Sequence, residues 1–448
     1  MTINNFGSLC SGIEAASMVL EPLGIKPLWY SEIAPFPNRV LAHYHPEVDN
    51  LGDMNDIPQM IQNGTVDVPD FLCGGTPCQA FSLAGWKNGL NDSRGQLTLK
   101  YIEILDAIDT IRTTQKKDRT VFFWENVEGV LKDKTNAFGC FLSGLVGLDE
   151  PLVVKKWANA GVLYGKTRNV AWRVLDAKYF GLAQQRKRIY VIGGGKNFHP
   201  EKTLFEIGNK MDDPFKAKPT NKIVQFSLFE DEVPTMPEVP TQLSKVIRGN
   251  KVEVFRTYSD CLYAAYGTKW NGNAAAFNGS LYIAQNDLLR RLTPKECERL
   301  MGFPDDYTRL EGCRDTNRFQ AVGNSWAVPV IRWIITRLVE REDARPFPLP
   351  FHSAKTTDYS LWLFEDFEKS SNSLYINAST YPYDMSFANM LDIVDVDADE
   401  KFYITEKGCA GILRRKREKS AGMNKRLEEV LINICEKAPN HLQNDTQV

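Results

Sequence analysis

The sequence predicts an α/β fold, with a doubly wound, mostly parallel sheet in the first half of the chain, a smaller irregular domain after it, and a C-terminal extension. Three observations predict it. Short apolar runs alternate with helical patterns from the N-terminus onward, which is the rhythm of successive β-α-β units. Chemically suggestive polar residues follow those runs, where open sheets bind their ligands. The 448 residues also exceed what one hydrophobic core usually organises.

Taken in order, Asn5 to Leu9 reads as a strand, Ala15 to Leu23 as a helix, Pro27 to Glu32 as a second strand and Pro37 to Tyr44 as a second helix. Further strands fall at Asp70 to Cys73, Thr120 to Trp124 and Arg188 to Gly193, with a helix over Tyr101 to Arg112. From about Lys196 to Ala284 the pattern gives way to Pro, Asn, Gly and aromatic residues, including an acidic, Pro-rich stretch from Phe229 to Pro240. Helical periodicity returns over Thr293 to Met301, where Thr293 can cap and Pro294 suits the first turn, and over Ser325 to Val339. A Pro-rich linker, Arg345 to Pro350, precedes an acidic stretch (Asp392 to Glu400), a basic one (Leu413 to Lys419) and a helical pattern through Met423 to Ile434. The expected domains are residues 1–195, completed by about 318–342; residues 196–317; and an extension over 346–448 whose role stays open.

Composition narrows the class. With 43% hydrophobic and 25% charged residues and a net charge of −2, the chain has an ordinary soluble composition, and bulk charge names no partner. A nucleic-acid enzyme of this charge would have to gather its cations locally. Nine scattered cysteines without a leader-like start argue against a secreted disulfide framework and for the cytoplasm. No apolar run has the length of a membrane span, and none of the five histidines lies in a zinc spacing, so no membrane and no metal are expected.

Three motifs carry chemistry. Gly74-Gly75-Thr76-Pro77-Cys78-Gln79-Ala80-Phe81-Ser82 follows a strand, and its glycines and proline shape a tight turn that could display the Cys78 thiol as a nucleophile. A lone cysteine is more often buried and structural. Glu125, in Trp124-Glu125-Asn126-Val127, ends another apolar run. A thiolate with a nearby carboxylic acid suits attack on an electron-poor ring, the acid stabilising the charge that builds there. A lone Glu at a strand end is more often just solvated. Gln184-Gln185-Arg186-Lys187-Arg188 precedes a strand, and alternate arginines would point to one side of an extended segment. A solvated basic strand end is the bland alternative.

These motifs, in this order, resemble those of the DNA cytosine carbon-5 methyltransferases. Further matches follow the family's order: Phe6 to Glu14, Glu32, Gly52-Asp53, Asp92 to Leu97, Arg291-Leu292-Thr293-Pro294 with Glu296, and Gln320 to Ser325. The resemblance spans about residues 3 to 340, and its variant form is similar to methyltransferases of phages and prophages. It implies an S-adenosylmethionine-dependent fold and a methyl transfer to carbon 5 of a cytosine flipped out of double-stranded DNA. Cys78 would be the nucleophile, Glu125 the acid on the base, and Arg186 and Arg188 the pair holding base and backbone. The segment Ser82 to Arg94 would be a mobile catalytic loop, with Gln79, Ser82 and Arg94 near the DNA. Cofactor contacts are implied for Ser8, Leu9, Cys10, Ser11, Gly12, Ile13, Glu14, Glu32, Ile33, Asp53, Met54, Pro77, Leu97, Asn324 and Ser325. Cys10, Glu14 and Ala15 replace the family's usual phenylalanine and paired glycines.

The irregular segment would read the target sequence from the major groove, where all four base pairs are distinguishable, with Arg248, Lys251, Arg256 and Lys269 as candidate contacts. A monomer is expected, serving restriction-modification or phage self-protection. A transfer-RNA methyltransferase, an inactive DNA-binding regulator and a redox protein using Cys73 and Cys78 are the rivals.

Overall fold

The computed structural model describes residues 2–76, 96–208, 243–266, 275–340, 347–371 and 374–437. The chain divides into two compact units. The first draws on Met1–Tyr179, Lys187–Pro237 and Val330–Met385, the second on Phe180–Arg186, Glu238–Pro329 and Ser386–Val448.

The first unit is built on a ten-stranded sheet. Its strands are β1 (Asn5–Leu9), β2 (Lys26–Ser31), β3 (Asp49–Asn50), β4 (Phe71–Gly74), β5 (Val121–Val127), β6 (Ala160–Tyr164), β7 (Arg168–Asp176), β8 (Lys187–Gly195), β14 (Ala354–Lys355) and β15 (Ser360–Phe364). In the order β3-β2-β1-β4-β5 every pair is parallel, as crossover helices require. Beyond β5 the sheet continues as β8-β7-β6-β15-β14, all antiparallel. Helix Gln96–Thr114 and helix Ala137–Val146 contribute to a core in which Tyr101, Phe122, Trp124, Phe141 and Trp172 are buried. Gly7 is required in β1, because a Cβ there would lie 2.5 Å from the Trp29 ring.

The parallel strands β1, β2, β4 and β5 match the sequence reading to within a few residues, whereas β3, two polar residues long, is absent from it. Of the antiparallel half the sequence reading contains only β8, as Arg188 to Gly193; all nine residues of β7 are buried, so it lacks the alternation that marks a half-exposed strand. A small sheet in the order β16-β17-β9 joins Phe367–Lys369, Tyr375–Asn377 and Glu206–Gly208 in the same unit. Buried Arg173 donates to the carbonyls of Leu204, Ser379 and Tyr381.

The second unit holds an antiparallel sheet, β10 (Ser244–Ile247), β11 (Asn250–Val254), β12 (Tyr282–Gln285) and β13 (Leu288–Arg291), in that order. Helix Pro294–Met301 follows, and Thr293 caps it as expected, its side chain accepting from the Glu296 N–H while Glu296 accepts from the Thr293 N–H. Glu296 also receives both terminal nitrogens of Arg290, at 2.7 and 2.9 Å, in a pair with no exposed surface. Helices Glu406–Glu418 and Lys425–Lys437 pack Cys409, Ile412, Leu427 and Leu431 against Phe255, Tyr282 and Leu289.

The segment set apart above as a C-terminal extension is therefore divided. Its described residues up to Met385 complete sheets of the first unit, and those from Ser386 close the core of the second. Strand pairing and apolar packing between residues distant in sequence draw these boundaries, which no composition shift marks.

Candidate active site

Three neighbouring parallel strands, β1, β2 and β3, deliver their carboxyl ends to one rim of the first unit. The turn after β1 is wound through the left-handed region at Cys10 (φ 50°), Gly12 (φ 57°) and Glu14 (φ 58°), a conformation costly for the two non-glycine residues. Several bonds hold it. The Ser11 N–H donates to the Ser31 carbonyl, the Ser11 hydroxyl to the Ser8 carbonyl, and the Gly12 N–H to Glu32 Oε2 at 2.8 Å. A Cβ at Gly12 would meet nothing nearer than 4.0 Å, so the turn borders open space.

Glu32, just after β2, also accepts from the N–H groups of Ile33 and Ala34 through Oε1, at 2.9 and 2.7 Å. Its carboxylate is fixed by backbone donors, and Oε2 keeps acceptor capacity. Ile33 beside it is 71% exposed, an apolar side chain left in the open next to a fixed carboxylate. Asp53 follows β3, and its Oδ1 accepts from both the N–H and side-chain amide of Asn55. Burial, then Glu32, then Asp53 push the Cys10 thiol up to about 12, which makes it an inert apolar wall rather than a nucleophile, in contact with Met54 sulfur at 3.8 Å. Ser8, Leu9 and Ile13 are buried, and Leu97 packs partly buried against the core.

Glu14 stands apart. It is 1% exposed, Oε1 accepts from the Ser17 N–H, and Oε2 has no hydrogen-bond partner. Burial drives its carboxyl up to about 8, against the lowering effect of Ser8 and Ser17.

The next two parallel strands, β4 and β5, frame the other candidate centre. Cys78, with Pro77, Gln79, Ser82 and Arg94, lies outside the described residues, as does Lys269; the chain leading to Cys78 is described as far as Thr76. That residue is clamped three ways: Trp124 Nε1 donates to its hydroxyl at 3.0 Å, Asn126 Nδ2 donates to its carbonyl at 3.0 Å, and its hydroxyl lies 3.1 Å from that of Thr98. Glu125 sits between the two clamping residues of β5. The sequence reading gave Trp124, Asn126, Thr76 and Thr98 no role, although three of them stand inside the motifs quoted for Cys78 and Glu125.

The ladder between β5 and β8 aligns Glu125 with Tyr190 and Val127 with Arg188. Glu125 and Arg188 are thus diagonal neighbours on one face, and Arg188 Nε lies 3.2 Å from Glu125 Oε1. Arg186 does something else. Its guanidinium is 2% exposed within the second unit and donates to the carbonyls of Leu262, Gly323 and Ser325. The expected alternation of two arginines fails because β8 begins only at Lys187, so Arg186 precedes the ladder that would align it. Asn324 is exposed at the end of helix Asp315–Asn324, and Ser325, in the same unit, is buried with its carbonyl engaged by Arg186.

The other expected DNA contacts are in the second unit too. Each described one has an acidic neighbour: Arg248 pairs with Asp397 at 3.3 Å, Lys251 with Asp287 at 3.2 Å and Arg256 with Asp260 at 2.7 Å. Among the described residues no group of three or more His, Cys, Asp or Glu could hold a metal ion, and no helix is long and apolar enough to cross a membrane. The described cysteines are all free.

Residues 4–340 match the model of the C-5 cytosine-specific DNA methylases. The chain belongs to this family. Its cofactor is S-adenosyl-L-methionine, and the rim fits that molecule: an open glycine turn, a carboxylate fixed for hydroxyl groups and an exposed apolar side chain beside it. Among relatives of the methylase, a protein of Escherichia phage P1 named DNA N-6-adenine-methyltransferase is 34% identical over 75% of this chain. The match covers 61% of that phage protein's length. The type II methyltransferase M.HpaII of Haemophilus parainfluenzae is 28% identical over 75% of the chain and 89% of its own length. The type II methyltransferase M.HhaI of Haemophilus parahaemolyticus is 26% identical over 76% and 96%.

Proposed function

We propose that the chain methylates carbon 5 of a cytosine flipped out of double-stranded DNA, with Cys78 as the covalent nucleophile. The observation that carries this reading is the triple clamp on Thr76, two residues before Cys78, by Trp124 and Asn126, which flank Glu125 on β5, and by Thr98. An anchored Thr76 fixes where the chain leads toward Cys78 beside the strand that carries Glu125, and positioning of reacting groups lowers a barrier by avoiding the entropy of bringing them together.

In the proposed reaction the Cys78 thiolate adds to carbon 6, and Glu125 stabilises the negative charge displaced toward ring nitrogen 3. Carbon 5 is then electron-rich and takes the methyl group from the sulfonium, with S-adenosylhomocysteine leaving. Loss of the carbon-5 proton to a base expels the Cys78 thiolate and restores the ring. Flipping is needed because a stacked, paired cytosine does not open carbon 6 to the thiolate. Arg188 orients Glu125, and Glu32, Asp53 and the turn Ser8 to Glu14 hold the cofactor, with Ile33, Met54, Pro77 and Leu97 around it and Asn324 and Ser325 as late contacts. Residues 1–195 with 318–342 serve as the catalytic domain. The target is read from 196–317, through Arg248, Lys251, Arg256 and Lys269. The enzyme acts as a monomer in the cytoplasm of a bacterial or phage-infected cell, in restriction-modification or in protection of phage DNA.

The test is transfer of labelled methyl from S-adenosylmethionine to unmethylated duplex DNA, with transfer RNA in parallel, followed by nucleoside analysis. 5-Methylcytosine in DNA, absent with Cys78→Ser while that variant still binds the duplex, is the expected result. N6-methyladenine, label confined to RNA, or turnover by the variant overturns the reading.

A further inference from the structure

The helical pair Glu406–Glu418 and Lys425–Lys437 lies beyond residue 340, where the family match ends. Its inner face is fixed. Cys409, Ile412 and Leu427 are buried at 0 to 1% exposure against β11 to β13, Asn424 Nδ2 donates to the Phe255 carbonyl, and Arg426 makes two bonds to Glu253 at 2.6 and 3.0 Å.

The outer face is basic. Between Glu406 and Arg426 the sequence carries eight Lys or Arg against two Glu, in a chain whose net charge is −2. Lys407, Ala410, Arg414 and Arg417 fall on one stripe of the first helix and are all exposed, as are Lys419 and Lys425 around the turn. Favourable interaction with the helix C-terminus explains one or two of these cations, because the dipole there amounts to about half an elementary charge. It does not explain five.

Pairing does not explain them either. Elsewhere in this unit the described cations expected to contact DNA each meet a carboxylate, and Lys295 and Lys401 do so as well. On the helical pair, Lys416 reaches Glu428 and Arg426 reaches Glu253. Arg414 has only the exposed Glu418, at 3.5 Å, and Lys407, Arg417, Lys419 and Lys425 have no ion pair among the described residues. A row of unpaired cations on a well-packed helix costs self-repulsion, and an anionic polymer with regularly spaced charge offsets that cost.

We propose that the outer face of this helical pair, through Lys407, Arg414, Arg417, Lys419 and Lys425, binds the phosphates of duplex DNA outside the target sequence. The contact is independent of base sequence and adds affinity for longer duplexes. It rests on the reading of the chain as a DNA enzyme, and the experiment separates the two.

Duplex affinity is measured by anisotropy across a salt series for the wild type, for the variant R414Q/R417Q/K419Q and for the charge-preserving R414K/R417K. Cofactor affinity, measured in parallel, reports that the fold is intact. Each lost phosphate contact makes the slope of log affinity against log salt shallower by about 0.9. The triple variant is expected to lose about 2 to 3 in slope and about tenfold or more in affinity at low salt, while the lysine variant keeps the wild-type slope. An unchanged slope in the triple variant, when the wild type binds DNA, overturns this proposal alone. A wild type that binds only RNA, or no nucleic acid, overturns the DNA reading and this proposal together.

Discussion

Arg186 and Arg188 stand two residues apart in one basic motif, yet they belong to different units and do different work. Arg186 is 2% exposed and ties together carbonyls of Leu262, Gly323 and Ser325, contributed by segments more than 70 residues away. The side chain of Arg188 is 15% exposed at the mouth of a strand pair and faces a carboxylate already singled out for chemistry. The difference teaches that a basic run is an inventory of charges, and that the start of a strand decides which of them joins the ladder beside Glu125.

The sharpest break of this comparison is Arg186→Ala. It leaves buried carbonyls unpaired and is expected to cost about 3 kcal/mol of stability, read by chemical denaturation. A variant as stable as the wild type but defective in turnover would return Arg186 to the substrate. Arg188→Ala should do the opposite: turnover falls about tenfold, a loss of about 1.4 kcal/mol in transition-state stabilisation, with melting nearly unchanged. Equal losses of stability in the two variants would erase the distinction.

The same contrast between visible motif and hidden environment runs through the rest of the molecule. Strands β1, β2, β4 and β5 could be read because each is a short apolar run bounded by breakers, and Thr293 with Pro294 and Glu296 spelled out a helix start. Glu32 could be placed because it ends an apolar run, whereas Asp53 follows a two-residue polar strand and was placed by the family resemblance alone. What could not be read depended on partners far along the chain. Strand β7 is buried along its whole length, Arg248 finds Asp397 across 149 positions, and Thr76 meets Asn126 across 50. The pairing of β15 with β6 likewise joins segments with no shared local signal.

Glu14 extends the comparison to a charge that burial suppresses. Its carboxyl is raised from the ordinary 4.5 to about 8, so the folded chain keeps a proton that the unfolded chain releases above about 4.5. The contribution to stability is whole below pH 4.5 and is lost as pH rises through about 8, at about 1.4 kcal/mol per unit. Glu14→Gln removes the titrating group. Thermal melting between pH 5 and 9 should therefore fall less steeply in the variant than in the wild type, and parallel curves would assign the slope to other groups.

Strand β15 lies along the whole of β6, from Tyr164 opposite Ser360 to Ala160 opposite Phe364. During synthesis, β6 is complete long before its cover exists, and until residue 364 has been made its amides and carbonyls are open to any passing strand. A chain cut at Glu340, where the family likeness stops, would carry that open edge permanently. Strand β15 thus closes a pairing edge that the family-matched residues leave unpaired.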